Sequence, residues 1–117
     1  MGSRQGNWFH DMLKASKARS ATWRVIGSQT AFSRINESIS YGNVNPLNYD
    51  AWDGYQGNPN RTFNTLVTNN ITNNIAILGD SHANWVSDLV WLDHTNYDPA
   101  MGKGSLGVEF AGTAVSS

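Results

Sequence analysis

Residues 74–80, NIAILGD, constrain this chain most. The run is almost continuously apolar and of strand length, which predicts a strand covered on both faces rather than one that alternates between core and water. The residues before it, 60–70, predict a helix with Phe63, Leu66, Val67 and Asn70 on one side and Asn or Thr near its start as a cap. A helix followed by a buried strand is the repeating unit of an α/β layer.

The same unit occurs earlier. Trp8, Phe9, Met12, Leu13 and Ser16 recur at helical spacing, with His10, Asp11, Lys14 and Lys17 on the other side, so the first turns read as an amphipathic helix. TWRVIGSQ, residues 22–29, gathers β-branched and aromatic residues before Gly27 and reads as a short buried strand. Residues 30–60 lose periodicity and fill with Asn, Gly, Ser, Tyr and Pro, the chemistry of turns; with Tyr49, Trp52 and Tyr55 embedded, they read as an ordered, site-forming loop. WVSDLVWL (85–92) and SLGVEFAGTAV (105–115) read as an antiparallel pair joined by an Asp/Asn/Pro/Gly-rich surface loop. No solenoid repeat and no linker divides the chain, so residues 1–117 form one α/β unit.

Composition narrows the partners. Eight basic and nine acidic side chains give a net charge of −1, which leaves no electrostatic footprint for nucleic acid. No apolar run approaches the roughly 20 residues that span a bilayer, and the first residues lack the apolar core of a signal peptide. The absence of cysteine leaves only oxygen and imidazole ligands for any metal. Sequons at Asn36, Asn60 and Asn70 fit an extracellular protein, but an Asn-rich chain supplies such matches by chance.

One of three histidines, His82, lies two residues after Asp80, where the strand 74–80 ends. In an extended segment such residues point to the same side, so a carboxylate and an imidazole can meet one ion. The pair suits iron, zinc or manganese, and the carboxylate suits calcium. On spacing alone the plainer reading is favoured, in which Asp80 caps a turn and His82 is a satisfied, half-buried histidine. In NYDAWDGYQGN (48–58), Asp53 is either the corner of an aromatic-packed turn or a carboxylate locked in place by Tyr and Trp rings for a metal; sequence alone favours the turn somewhat. Gln29, at the end of the first strand, is equally suited to pocket lining and to packing, and His10 and His94 are assigned a helix face and a surface loop. Trp23, Trp52, Trp85 and Trp91 are assigned to core packing rather than to a sugar-binding surface.

The ordered set ATWRVIGSQTAFSR, NYDAWDGYQGN, NNIAILGDSHANWVSDL and GVEFAGTAVSS resembles the later half of the PhoD-like alkaline phosphatases, metal-dependent phosphomonoesterases and phosphodiesterases that are secreted, across essentially the whole chain. The resemblance implies part of the metallophosphoesterase fold, an α-β-β-α sandwich with mixed sheets, and a multi-metal centre holding calcium and iron at the strand ends. It implies that Asp80 and His82, in the Gly-Asp-x-His motif, lie at that centre, and that Asp53, in Trp-Asp-Gly-Tyr, is a further site carboxylate. His82 as a ligand needs its second ring nitrogen held by a neighbour, for which Ser81, Asn84 and Trp85 are nearest in sequence. The substrate implied is a phosphate monoester or diester, with cations that neutralise its oxygens and acidify water.

The family's earlier Asp-rich segments and metal-binding cysteine have no counterpart in these residues, so the chain reads as a partial domain truncated at both ends. Three ligands fall short of the six or so, on the order of magnitude, that a multi-metal site needs. The chain alone is therefore expected to be inactive and to expose apolar sheet surface that sheet neighbours would otherwise cover.

Overall fold

A computed structural model describes residues 2–29, 31–33, 57–79, 84–91 and 94–113. The elements run α1 (Ser3–Ala18), β1 (Arg24–Ser28), α2 (Gly57–Thr68), β2 (Asn74–Leu78), β3 (Trp85–Leu89) and β4 (Gly107–Ala111). The four strands form one mixed sheet in the order β1-β2-β4-β3. β1, β2 and β4 are parallel, and β3 returns antiparallel to β4, as the expected pairing of the last two strands requires. The fold class is α/β.

Both helices stop in the same way. At the end of α1, Ser20 takes a left-handed φ of 58°, Ala21 N–H donates to Ser16 O and Ser20 N–H to Lys17 O. At the end of α2, Asn70 has φ 49°, Ile71 N–H donates to Leu66 O and Asn70 N–H to Val67 O. These paired bonds satisfy carbonyls that a helix end leaves unpaired. In the second case they also swing the buried Ile71 under Leu66, at the point where the chain turns into β2.

The core lies between the helices and one face of the sheet: Leu13, Phe63, Leu66, Ile71, Ala76, Leu89 and Phe32 cluster there, with Phe9, Ile26, Trp91 and Leu106 packed against them. Arg24 enters this layer from β1, donating from Nε to Ser16 Oγ at 2.6 Å and from Nη1 to the Thr72 carbonyl at 2.7 Å. Gly107 opens β4 because Asn74 presses on it; a Cβ there would lie 2.5 Å from the Asn74 carbonyl oxygen. Asn74 uses its own amide to bind the Ile71 and Leu106 carbonyls, at 3.0 and 2.7 Å.

Several expectations need correction. α1 buries Gly6, His10, Leu13 and Ser16, while Trp8 and Met12 face outward. Gly6 lies on the side that meets Arg61 of α2, so the helices meet over a small residue rather than over Trp8. His10, placed on the polar side by its spacing, is buried with Nε2 3.1 Å from Thr62 Oγ1. β1 is an edge strand in which Arg24 alone is buried, and Trp23 beside it is exposed rather than packed. α2 starts at Gly57, and Val67 points to solvent.

β2 is covered on one face among the described residues. Ile77 is 51% exposed, and in its cross-strand row stand Phe110 at 43% and Val86 at 64%. Val25, 63% exposed, begins the neighbouring row through Ile75 to Val108. Among the described residues the side of the sheet away from the helices is therefore an apolar surface.

Candidate metal centre

Ser28, Leu78, Ala111 and Trp85 form the last cross-strand row of the sheet, and they mark the edge where the three parallel strands end and β3 begins. Ligands of α/β proteins collect outside the carboxyl ends of such strands. Because β4 lies between β2 and β3, the connection from Gly79 to Asn84 has its two ends on opposite sides of β4. Those ends are tied to the chain leaving β4: Gly112 N–H donates to Leu78 O at 2.9 Å, and Thr113 N–H to Asn84 Oδ1 at 2.7 Å.

A second set of bonds lies just below this edge. Glu109, in the middle of β4, has 0% of its surface exposed. Its Oε2 accepts the backbone N–H groups of Phe32 and Ser33 at 2.7 and 3.2 Å, and its Oε1 accepts the Trp85 indole N–H at 3.2 Å. Ser33 Oγ also lies 2.9 Å from Ser87 Oγ on β3. The chain that leaves β1 at one edge of the sheet is thus attached, by residue 33, to β4 and β3 at the other.

Asp80, His82 and Asp53, the candidate metal ligands, lie outside the described residues, as does Ser81. The described residues flanking Asp80 and His82 reach the strand-end edge. Asn84 and Trp85, the remaining candidates to steady His82, are engaged with Thr113 and Glu109. Gln29 is exposed after β1. His94 is exposed in the β3–β4 connection and stacks on Trp91 with ring centroids 4.0 Å apart. Among the described residues no group of three or more His, Cys, Asp or Glu side chains is arranged to hold a metal.

The sequence model of the PhoD-like phosphatase family matches residues 1–117. The chain belongs to the PhoD-like phosphatase family. It is 31% identical over 117 residues to alkaline phosphatase D of Bacillus subtilis (strain 168), covering 100% of this chain and 18% of that protein. A solved structure titled "Structure of PhoD" superposes with a TM-score of 0.78 at 31% identity, covering 99% of this chain and 20% of that one. The PhoD-like chain thus spans about a fifth of the length of the relatives it matches.

Glu109 is the residue that motif reading passed over. Its signal was present in GVEFA, where one acidic residue interrupts a short apolar strand and falls on the same side as the core-facing Gly107 and Ala111.

Proposed function

We propose that this chain is part of a metal-dependent phosphoric-ester hydrolase and supplies Asp80, His82 and Asp53 to its metal centre. The observation that carries the reading is the family match across the whole chain. The strand-end edge supports it, because Leu78 and Asn84, the described residues on either side of Asp80 and His82, are both tied to the chain leaving β4. The donor chemistry fits: carboxylates suit calcium, and a carboxylate with an imidazole suits iron.

The metals, when bound, supply charge neutralisation at phosphate oxygens and acidify water. The protein's part in this reading is to supply Asp80, His82 and Asp53 as ligands. The substrate is a phosphate monoester or diester. The active molecule is the longer protein, with residues 1–117 a partial domain in which the sheet is one layer of the α-β-β-α sandwich; secretion accompanies this reading. No helix among the described residues is long and apolar enough to cross a membrane.

The test is p-nitrophenyl phosphate hydrolysis by the full-length protein. Chelation, Asp80→Ala and His82→Ala are each expected to reduce turnover by roughly a hundredfold or more, and Asp53→Ala to reduce it as well. Turnover unaffected by the Asp80 and His82 substitutions contradicts the assignment, and a full-length protein with no hydrolysis but intact folding points to a binding module that retains the fold.

A further inference from the structure

We propose that the outward side of α1 is a docking surface for an anionic lipid bilayer, on which Trp8 and Met12 enter the interface and Arg4, Lys14 and Arg19 meet lipid phosphates. Docking of this kind needs none of the metal ligands.

α1 buries Gly6, His10, Leu13 and Ser16. Its opposite side follows Arg4, Trp8, Met12, Ala15 and Arg19, whose spacings of three and four make one stripe of a helix. Arg19 continues the stripe because its N–H still bonds to the Ala15 carbonyl. Trp8 is 62% and Met12 43% exposed, and Arg4 and Arg19 are exposed at the two ends. A tryptophan held outward leaves one of the largest apolar side chains in water, whereas at a bilayer its ring sits at headgroup level.

Charge selects the partner. Residues 4–19 hold four of the chain's eight basic side chains, Arg4, Lys14, Lys17 and Arg19, and one of its nine acidic ones, Asp11, so four less one gives this stretch +3 while the remaining four basic and eight acidic residues give −4. Asp11 is itself met by Lys14 Nζ at 3.5 Å. An anionic surface therefore attracts α1 and repels the rest of the chain, which turns the outward side toward it before contact. A basic helix with an apolar stripe is the pattern of helices that lie in the bilayer interface without crossing it. A second copy of the same side is a poorer occupant, because a two-fold contact would set the positive charge of one α1 against that of the other.

The test is sedimentation of the full-length protein with vesicles of equal parts phosphatidylglycerol and phosphatidylcholine, compared with phosphatidylcholine alone, while tryptophan emission is followed. Binding is expected to the anionic vesicles, with a shift of emission to shorter wavelength that Trp8→Ala removes, and to be lost as salt rises from about 50 to about 500 mM. Arg4→Gln and Arg19→Gln are each expected to weaken vesicle affinity about fivefold. Trp8→Ala is expected to weaken it at least as much, and far-UV circular dichroism to stay unchanged in all three variants. The arginine variants keep the proposal testable should Trp8→Ala fail to fold. No sedimentation with anionic vesicles, equal binding to neutral ones, or affinity unmoved by the Trp8 and arginine substitutions overturns the proposal. A solution mass that is doubled in the wild type and single in Trp8→Ala would assign this side of α1 to a second copy and overturn it equally, as would a Trp8 shielded from acrylamide quenching in the full-length protein without vesicles.

Discussion

The His10 ring lies 3.1 Å from Thr62 Oγ1 with 2% of its surface exposed, and burial, reinforced by the Arg61 charge, lowers its pKa below 6.5. The unfolded chain then binds a proton at a pH where the folded chain resists it, so stability rises with pH between the folded value and 6.5. That contribution is fully present above 6.5 and is lost as pH falls toward the folded value. Melting temperature is expected to drop from about pH 7 to about pH 5.5, and His10→Gln to flatten that part of the profile; parallel profiles for the two proteins would contradict it. Helical spacing could not reveal this burial, because Trp8 and Met12 supplied a more hydrophobic stripe than the one used. The deciding contact comes from Arg61 and Thr62, more than fifty positions away. Asp80 and His82 could be picked out by residue type and spacing, whereas the bonding of Glu109 depends on which strands become neighbours.

Strand and helix identities were legible because each rests on local patterning. Residues 74–78 kept their β character and 85–89 paired with 107–111, while the parallel order β1-β2-β4 is a long-range arrangement that no window of sequence contains. Packing makes these elements unequal in energy. Leu66→Ala in α2, at a side chain 2% exposed, is expected to cost about 2–5 kcal/mol. Val67→Ala, one position on and 44% exposed, is expected to change stability by less than about 0.5 kcal/mol. Gly107→Ala forces a methyl group against the Asn74 carbonyl and is expected to cost about 1–3 kcal/mol by overpacking, although alanine is ordinarily the mildest replacement for glycine. Urea denaturation of the three variants checks the order; a Val67 variant as damaged as the Leu66 variant would mean that α2 is rotated from the orientation described.

For the whole molecule, the sheet face carrying Val25, Ile77, Phe110 and Val86 is the largest departure from the expected two-sided burial. Apart from Asn74, NIAIL is apolar at both parities, which suits a strand covered on both sides, and among the described residues the helices cover one of them. Residues 1–117 alone are expected to bind an environment-sensitive apolar dye, with Phe110→Ser reducing the signal without loss of helical circular dichroism; the full-length protein is expected to bind far less. Equal dye binding by both would mean that the face stays open to solvent. Sequence alone could read the need for cover but not the residues that provide it, because burial is a property of the assembled layers. The central claim is that Asp80 and His82 grip metal at the strand ends. Anomalous diffraction from crystals of the full-length protein, collected above and below the iron edge, tests it most directly. The account predicts a metal peak about 2.0–2.6 Å from the Asp80 carboxylate or the His82 imidazole, and peaks confined to other parts of the protein, with both side chains bonded only to protein, would contradict it.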